Sequence, residues 1–313
     1  MREPAALTSE VMRAIQFDQF GGPEVLRVVE VPDPHPAADQ IRVVVRAVGI
    51  NPVDWKIRSG MMGGELPRFT GLDVAGVVDE VGEAVTDVTA GDEVFGPAVG
   101  GAGAADRAIL ENYARIPPSL DFTTAAALPV AVETAARTLD LLGAGEGQTV
   151  LINGAAGAIG ICAVQIARSR GARVIGTASE PNHDYLRGYG AEPTTYGSGL
   201  AERVRELAPG GVDAALDAAG GGALSDLIAL TGGPERVVTI ADYQGAQETG
   251  ATFSGGLGSK RAWYALALAG ELAEAGALSL PVAETFSLEQ IGRAHERSET
   301  GHVRGKIVLL VSE

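Results

Sequence analysis

Cysteine is almost absent from this chain of 313 residues, since Cys162 is the only one. A single cysteine excludes an intrachain disulfide and a cysteine-rich zinc site. Cys162 lies among apolar residues of a predicted helix, so we interpret it as a core residue. Lysine is also scarce, and the formal net charge of −16 opposes binding to nucleic acid or to an anionic membrane, because phosphate groups are bound by clustered Lys and Arg.

Long apolar runs are missing as well. No stretch of about 18 apolar residues suggests a membrane span, and no basic segment followed by an apolar core suggests a signal peptide. These features are typical of a cytoplasmic enzyme. Residues 1–10 are predicted to be a loose tail.

The chain nevertheless has ample material for a folded core, because 46 % of its residues are hydrophobic. Its length predicts two domains at roughly 100–200 residues each. The first third is punctuated by Gly, Pro and Asp between short β-prone runs, which predicts a compact, partly open barrel. The predicted strands there are Ala14–Phe17, Val25–Val31, Ile41–Val48, Asp73–Val81 and Glu93–Pro97.

From about residue 120 the pattern changes to strands alternating with helices, which predicts a parallel sheet covered on both faces. The predicted helices are Thr123–Ala127, Ala131–Leu142, Ala158–Arg170, Leu200–Leu207, Leu224–Leu230, Arg261–Ala275 and Leu288–Glu299. The predicted strands are Thr149–Asn153, Ala172–Ala178, Val212–Asp217, Arg236–Ala241 and Lys306–Val311.

A glycine-rich loop between the first strand and helix of this second region is the most informative motif. It reads Val150-Leu-Ile-Asn-Gly-Ala-Ala-Gly-Ala-Ile-Gly160. Small residues let the backbone approach a pyrophosphate, whose charge the amides and the helix dipole then hold. Gly160 would let the helix pack closely. We therefore predict that a dinucleotide binds at Ala155, Ala156, Gly157, Ala158, Ile159 and Gly160.

The end of the second strand of this region predicts which dinucleotide binds. An Asp or Glu there binds the ribose 2′-hydroxyl of NADH and repels a 2′-phosphate, whereas this chain has Thr177-Ala178-Ser179. Hydroxyl groups can donate to a phosphate, and His183, Arg187 and Tyr196 follow. Thr177, Ser179, His183 and Tyr196 therefore favour NADPH, although Glu180 would favour NADH if its side chain turned inwards.

The whole chain from about Met12 resembles the medium-chain dehydrogenase/reductase superfamily. Within it, the sequence is similar to the zinc-free quinone oxidoreductase branch that includes zeta-crystallin and the alkenal reductases. The segments that carry the resemblance are Gly49–Gly60, Gly71–Gly76, Ala125–Pro129, Gly154–Gly160 and Arg304–Leu309.

The resemblance implies an α/β fold with a GroES-like β-barrel catalytic domain and a Rossmann domain with a doubly wound parallel sheet. It places the first part of the catalytic domain in residues 1–130 and the NADPH-binding domain in 131–275. Residues 276–313 would return to the catalytic domain. Members of the family commonly pair through their Rossmann domains, so a homodimer is expected.

The resemblance also predicts that no catalytic zinc is bound. Zinc-dependent relatives have a Cys where this chain has Asn51 and a His where it has Leu72. Catalytic zinc normally takes three protein ligands of Cys, His or carboxylate type, and none of the four histidines, including His302, lies in these motifs. Asp73 alone would not hold the metal.

Three residues are candidates for catalysis. Asn51 matches the family position near the nicotinamide and the substrate, but it could equally cap the turn before Pro52. Lys56 stands where alkenal-reductase-like members have Lys, and its ammonium could hold an enolate oxygen or donate a proton; the alternative is a solvent-facing lysine. Thr134 falls where members contact the nicotinamide.

The surroundings of Thr134 depart from the family pattern. Glu133 puts a carboxylate where an apolar residue is expected, and Ala136 replaces an aromatic residue. Either the pocket is larger and more polar, or the helix face is repacked. Further cofactor contacts are implied at Ala219, at Ile240 and at Lys306, for which a surface strand lysine is the alternative. Arg58 is expected in a structural ion pair.

The sequence thus predicts a zinc-independent oxidoreductase that transfers a hydride from NADPH to a quinone or an α,β-unsaturated carbonyl compound. Two alternatives stay open. One is a biosynthetic enoyl or double-bond reductase for one complex metabolite, which Glu133 and Ala136 favour. The other is a non-catalytic NADPH-binding protein. The partner in each case is a small molecule, not a nucleic acid or a membrane.

Overall fold

The computed structural model describes residues 11–255, 259–301 and 303–312, so the predicted tail 1–10 and His302 lie outside the described residues. The chain forms two compact units, one built from the chain up to Pro129 together with the chain from Val282, and one from Val130 to Pro281. Of the helices in the described ranges, none combines the length and the apolarity needed to cross a lipid bilayer.

The first part of unit 1 is rich in short strands. They are β1 Val11–Phe17, β2 Arg27–Pro32, β3 Ile41–Ile50, β4 Arg68–Phe69, β5 Asp73–Val81, β6 Glu93–Pro97, β7 Arg107–Leu110 and β8 Ala114–Arg115. Two short helices belong to the same part, α1 Pro52–Arg58 and α2 Phe122–Ala126. Gly49 in β3 has no room for a side chain, because a Cβ there would lie 2.2 Å from the carbonyl oxygen of Ala126.

Unit 2 alternates strands and helices as the sequence predicts. Its helices are α3 Pro129–Leu141, α4 Ala158–Ser169, α5 His183–Gly188, α6 Leu200–Leu207, α7 Leu224–Thr231, α8 Tyr243–Thr249 and α9 Tyr264–Glu274. Its strands are β9 Thr149–Asn153, β10 Arg173–Thr177, β11 Glu192–Thr194, β12 Ala214–Asp217, β13 Val237–Thr239 and β14 Thr252–Phe253. Five parallel pairings give the order β11-β10-β9-β12-β13-β14. This is the doubly wound order of a Rossmann sheet.

The last part of the chain returns to unit 1 with β15 Val282–Ser287, α10 Ile291–Glu299 and β16 Lys306–Leu310. β16 pairs with β3 and with β15, which closes the seven-stranded sheet β15-β16-β3-β5-β6-β8, to which β7 is added through β3. A smaller sheet has the order β2-β1-β4. The α/β fold class is therefore confirmed.

Some predicted boundaries were wrong, and hydrogen bonds give the reason. The strand predicted over Arg236–Ala241 stops at Thr239, because the Thr239 hydroxyl accepts the amides of Ala241 and Asp242 and turns the chain. The helix predicted from Arg261 starts only at Tyr264, because the Ala262 amide is bound to Glu133. Strands of two or three residues, such as β4 and β14, are too short to show a periodic pattern.

Candidate functional site

The glycine loop after β9 is shaped by close backbone approaches. Gly154 has a φ of +80°, a left-handed conformation that favours glycine. A Cβ on Gly160 would lie 2.3 Å from the carbonyl oxygen of Gly154, so only glycine lets the first turn of α4 pack against the loop. The predicted reason for Gly160 is thus confirmed.

The loop residues divide into those that face inwards and those that start the helix. The Ala155 amide donates to the carbonyl of Thr177 at 3.0 Å, and Ala155 is fully buried. The Ala155 amide is therefore already used inside the protein, and a contact of Ala155 with the cofactor stays a prediction. Gly157 is the exposed N-cap of α4, and Ala158, Ile159 and Gly160 form its first turn. The first amides of a helix have no intrahelical partner, so Ala158, Ile159 and Gly160, together with Ala156, can offer amides to an anion. The Gly157 amide instead donates to the Gly154 carbonyl at 3.2 Å.

This cradle fits a dinucleotide pyrophosphate. The loop is lined by glycine and alanine, and a ligand can therefore approach the backbone closely. The amides at the start of α4 and the positive end of its dipole would stabilise the negative charge. The amides of Ala156, Ala158, Ile159 and Gly160 would hold the group, and Gly157, which has no side chain, would let it approach the backbone.

The end of β10 differs from the expectation at Thr177. Its side chain is fully buried, its hydroxyl donates to Asn153 Oδ1 at 2.7 Å and accepts the Gly154 amide at 3.0 Å. The prediction that the Thr177 hydroxyl binds a phosphate is therefore corrected.

The residues beyond β10 remain candidates for contact with an adenosine ribose. Ser179 Oγ accepts from Asn182 Nδ2 at 3.1 Å, so its own hydrogen is left to donate. His183 Nε2 lies 3.3 Å from the carbonyl of Ala178. Tyr196 is 60 % exposed.

Arg187 and Glu180 are charged residues that follow β10 near the expected ribose site, and one of them already has an ion-pair partner. Arg187 is bound to Asp184 at 2.6 Å, and both side chains are largely exposed. Glu180 is exposed in the turn before α5. Its side chain is therefore open to solvent, and the choice between NADPH and NADH stays a prediction.

A row of buried polar side chains lies at the carboxyl ends of four parallel strands of unit 2. Thr177, Asn153, Asp217 and Thr239 are the last residues of β10, β9, β12 and β13. Asp217 pairs in register with Asn153 and with Thr239. Loops leave the sheet after each of these residues, and the row therefore lies beneath the loops that carry the predicted cofactor contacts.

The loops after β12 and β13 contain the predicted contacts Ala219 and Ile240. Ala219 is exposed, and its amide is held by Asp217 Oδ1 at 3.2 Å. The Ile240 amide donates to the Asp217 carbonyl at 3.0 Å. Both residues thus stand at the same edge of the sheet as the glycine loop, where parallel-sheet proteins bind their ligands.

In unit 1, Asn51 and Lys306 belong to one buried cluster with Asp73. Lys306 Nζ donates to Asp73 Oδ2 at 2.7 Å and to Asn51 Oδ1 at 2.8 Å, and Asn51 Nδ2 donates to Asp73 Oδ2 at 2.9 Å. Lys306 is 3 % exposed. It is therefore not the surface lysine that the sequence offered as an alternative, and its contact with the cofactor stays a prediction.

A second buried carboxyl group, that of Asp54, adjoins this cluster. Its Oδ2 accepts the backbone amide of Asn51 at 2.7 Å. Burial raises the pKa of Asp54 to about 7, and the neighbouring Asp73 charge acts in the same direction. The hydrogen bond from Asn51 and the Lys306 charge oppose this rise in pKa. At the N-terminus of α1, burial and the Asp73 charge thus act on the pKa of Asp54 in one direction, and Asn51 and Lys306 act in the other.

These residues do not fit a catalytic zinc ion. The oxygens of Asn51 and Asp73 that could face a metal instead hold the Lys306 ammonium, and a cation there would be repelled. Among the residues that the structure describes, no group of three or more His, Cys, Asp and Glu side chains could hold a metal ion.

Lys56 lies on α1, the helix that begins after Asn51, and its side chain is half-buried. Its Nζ stands 5.7 Å from the centroid of the Trp55 ring, within the range of a cation–π contact. This contact places the ammonium beside an apolar surface. On the far end of α1, the buried Arg58 forms an ion pair with Glu299, as predicted.

Thr134 lies in α3 of unit 2, beside an ion pair that the sequence did not predict. Glu133 Oε1 accepts from Arg137 Nε at 2.7 Å, and both side chains are almost fully buried. Arg137 also donates to the carbonyl of Ser254 at 3.0 Å. The Thr134 hydroxyl is only 3.4 Å from Arg137 Nη2, so part of its hydrogen-bonding capacity faces this ion pair.

The contacts of Glu133 bear on the two alternatives for Glu133 and Ala136, which were a larger and more polar pocket or a repacked helix face. Glu133 binds Arg261 and the Ala262 amide, which ties the start of the α9 segment to α3. Ala136 is fully buried. The contacts of Glu133 and the burial of Ala136 therefore favour a repacked helix face over a polar pocket.

Comparisons with known proteins agree with this fold. Residues 37–120 match the family of the alcohol dehydrogenase GroES-like domain, and residues 189–309 match the zinc-binding dehydrogenase family. The quinone oxidoreductase of Lama guanicoe is 32 % identical, with 98 % of this chain and 99 % of that protein covered.

Solved structures give the same result. The quinone oxidoreductase of Coxiella burnetii has a TM-score of 0.82 and 31 % identity, with 97 % of this chain and 100 % of that chain covered. A mycobacterial protein solved in complex with NADPH has a TM-score of 0.81 and 26 % identity, with 96 % and 99 % covered. The chain belongs to the quinone oxidoreductase branch of the medium-chain dehydrogenase/reductase superfamily. It is an oxidoreductase of a family that uses a nicotinamide cofactor.

Sequence reasoning about this quinone oxidoreductase relative missed the buried partners of its site. Asp217 carried no signal of its own, since it is a single acidic residue among alanines and a leucine. Asp54 stands three residues after Asn51, at the spacing of a capping pair at a helix start, and this spacing was the signal that could have found it. The only pattern available was positional: Asn153 and Asp217 each end a predicted β run, whereas Thr239 lay inside the run predicted over Arg236–Ala241 and ends its strand only in the structure. Polar residues at successive strand ends of a parallel sheet meet at one edge, and this would have found them.

Proposed function

We propose that the protein is a zinc-independent, NADPH-dependent oxidoreductase that transfers a hydride to a quinone or an α,β-unsaturated carbonyl compound. The observation that carries the proposal is the cradle between Gly154 and Gly160 at the start of α4. Its two glycines leave no space for a side chain at positions 154 and 160, and its helix start offers amides to a pyrophosphate. The relatives named quinone oxidoreductase support the class of acceptor.

NADPH is favoured over NADH by the groups after β10. Ser179 has a hydroxyl hydrogen to give to a 2′-phosphate, because its oxygen already accepts from Asn182. His183 and Tyr196 stand in the following segments, and no Asp or Glu ends β10. The mycobacterial relative with bound NADPH supports the same choice.

A bound NADPH supplies the hydride. The protein must then stabilise the oxygen on which negative charge builds in the substrate. Lys56 is our candidate for this role, because its ammonium can donate a hydrogen bond or a proton. Lys306 is a weaker candidate, because two of its three ammonium hydrogens are bonded to Asp73 and Asn51. Asn51 is held by the same contacts and keeps one weakly used amide hydrogen, 3.4 Å from the Gly49 carbonyl, so we assign it an orienting role.

Thr134 is the third candidate residue. Its hydroxyl is near the Glu133–Arg137 ion pair, which fixes its rotamer. We propose that it orients the nicotinamide. The biosynthetic alternative loses the support of Glu133 and Ala136, since both are internal packing residues. The homodimer and the cytoplasmic location stay predictions that the family resemblance motivates.

The test is steady-state oxidation of NADPH and of NADH with simple quinones and 2-alkenals, with a chelator present throughout. We expect turnover that prefers NADPH and does not respond to the chelator. Ser179→Asp should reduce the NADPH to NADH ratio of kcat/KM by about 10-fold or more, because a carboxylate repels the 2′-phosphate. Loss of turnover on removal of metal, or equal use of both cofactors, would contradict the proposal.

The role of Lys56 is tested by Lys56→Met, with Lys56→Arg as the charge-preserving control. General acid catalysis typically contributes about 10²–10⁴ in rate, so kcat should fall by at least about 10² in the Met variant while KM for NADPH changes little. An unchanged kcat would show that Lys56 is a solvent-facing lysine.

A further inference from the structure

The row of polar residues at the sheet edge forms one continuous hydrogen-bonded chain. Thr177 Oγ1 donates to Asn153 Oδ1 at 2.7 Å, and Asn153 Nδ2 donates to Asp217 Oδ1 at 2.8 Å. From the other side, Thr239 Oγ1 donates to Asp217 Oδ2 at 2.8 Å. The four side chains thus link β10, β9, β12 and β13 across the sheet.

Thr177 and Thr239, at the two ends of this hydrogen-bonded row, also hold the backbone of a loop. Thr177 Oγ1 accepts the Gly154 amide at 3.0 Å. Thr239 Oγ1 accepts the amides of Ala241 and Asp242, both at 3.1 Å.

Asp217, at the centre of the hydrogen-bonded row of side chains, also holds the backbone of a loop. Asp217 Oδ1 accepts the amide of Gly220 at 2.8 Å and that of Ala219 at 3.2 Å. The loops after β9, β12 and β13 are therefore fixed by connected side chains, and each of them carries a predicted cofactor contact.

The four hydrogen-bonded side chains are buried, so the loss of any hydrogen bond between them is costly. Asn153 is 3 % exposed, and Thr177, Asp217 and Thr239 are fully buried. The Asp217 charge is stabilised by uncharged donors, namely an amide side chain, a hydroxyl group and two backbone amides. A buried acceptor that loses a donor is not compensated by water, and hydrogen bonds in such chains polarise one another.

We propose that Thr177, Asn153, Asp217 and Thr239 form a positioning network that couples the glycine loop to the loops after β12 and β13. The four residues do not touch the dinucleotide; they act through the backbone amides that they hold. Cofactor binding at the glycine loop thereby orders the two other loops, so the site forms as a unit. The inference rests on the proposed function only in that it takes the glycine loop as the dinucleotide site.

The network is tested by a double-mutant cycle on its two ends. Thr177 and Thr239 stand three strand spacings apart, about 14 Å at the usual spacing, and substitutions at that distance normally have additive effects. The variants are Thr177→Val, Thr239→Val and the double variant, with Thr177→Ser and Thr239→Ser as controls that keep the hydroxyl. The measurement is the Kd for NADPH from nicotinamide fluorescence.

We expect each Val variant to raise the Kd for NADPH about 10-fold, which is the loss of roughly one well-made hydrogen bond. The double variant should also raise it about 10-fold and not about 100-fold, because the first substitution has already broken the network. The Ser variants should stay within about twofold of the wild type. Additive effects in the double variant would overturn the proposal.

Amide hydrogen exchange in the cofactor-free protein tests the network without NADPH. Thr239→Val should speed exchange of the Gly154 amide about 10-fold, although that amide is bonded to Thr177 on the other side of the sheet. Unchanged exchange at Gly154 would overturn the coupling. If the wild-type protein does not bind NADPH, the proposed function fails and this exchange result still decides the inference. Thr177→Ala and Thr239→Ala replace the Val variants if those do not fold.

Discussion

A lysine buried against one carboxylate is the clearest feature at the level of single residues. Lys306 reaches Asp73 across 233 positions of sequence. Both side chains are out of water, and removal of one partner of a buried ion pair typically costs about 3–5 kcal/mol.

Lys306→Met should therefore lower the free energy of unfolding by about 3–5 kcal/mol, as measured by urea denaturation. The double variant Lys306→Met with Asp73→Asn should be more stable than the single variant, because no unpaired charge remains. If Lys306→Met unfolds at the same urea concentration as the wild type, the ammonium is not held as described.

His295 predicts a specific dependence of stability on pH. Burial lowers its pKa to about 3, and the nearby Arg58 charge acts in the same direction. The unfolded chain binds a proton on this ring as the pH falls below about 6.5, whereas the folded protein does not. The contribution of the neutral His295 ring to the free energy of unfolding is therefore fully present above about pH 6.5, and it is lost as the pH falls from there towards 3.

The substitution His295→Gln removes this pH-dependent loss of stability, because glutamine does not titrate. Between pH 7.5 and pH 5 the variant should lose about 2 kcal/mol less unfolding free energy than the wild type, since 1.5 pH units correspond to about 2 kcal/mol. Parallel urea denaturation series at several pH values measure the difference. Equal losses in both proteins would mean that His295 takes up its proton in the folded state.

Among the structural elements, the glycine loop and the start of α4 give a matched pair of substitutions. A Cβ on Gly160 would lie 2.3 Å from the Gly154 carbonyl oxygen and 2.7 Å from Ala155 Cα, whereas a Cβ on Gly157 would find its nearest atom at 3.5 Å. Gly157 also has a φ of −76°, which any residue can adopt.

Gly160→Ala should thus destabilise the cofactor-free protein by about 1–3 kcal/mol through overpacking. Gly157→Ala should change its stability by less than about 1 kcal/mol, because the smaller entropy of the unfolded chain offsets the weaker N-cap preference of Ala. Thermal and urea denaturation compare the two. Equal effects would contradict the close packing at Gly160.

The sequence predicted the elements of this loop well but not the use of its amides. A strand, a small-residue turn and a helix follow from composition and spacing, and the structure has them at β9 and α4. Which amides face inwards depends on a second strand, since Thr177 takes the amides of Gly154 and Ala155. Such contacts join residues that are distant in sequence, so periodicity does not reveal them.

The same limit applies to α3. The sequence predicted its position and identified Glu133 as unusual, but the partner Arg261 lies 128 positions away. The choice between a polar pocket and a repacked helix needed that contact. Long-range side-chain pairs therefore account for most of what the sequence could not predict at the candidate site.

For the molecule as a whole, unit 1 depends on the last part of the chain. β16 pairs with β3 along Ile307, Val308, Leu309 and Leu310. The returning segment adds Leu288, Ile291 and Leu309 to the core of unit 1, and each buried aliphatic side chain contributes about 1.5–3 kcal/mol.

A chain that stops after Pro281 should fail to give a soluble, cooperatively folded unit 1. A chain that stops after Val311 is the control and should stay soluble, because it keeps β16. The soluble yield and the pattern of limited proteolysis measure both. A protease-resistant fragment that covers residues 11–129 of the shorter chain would contradict this dependence.

The discontinuity of unit 1 has a consequence for synthesis on the ribosome. β3 leaves the ribosome long before its partner β16, because the whole of unit 2, from Val130 to Pro281, is made between them. From the end of β3 at Ile50 to the start of β16 at Lys306, synthesis at about 5–20 residues per second leaves an apolar strand edge waiting roughly 10–50 s for its neighbour. During that interval the nascent barrel exposes an unpaired strand edge to which a chaperone can bind.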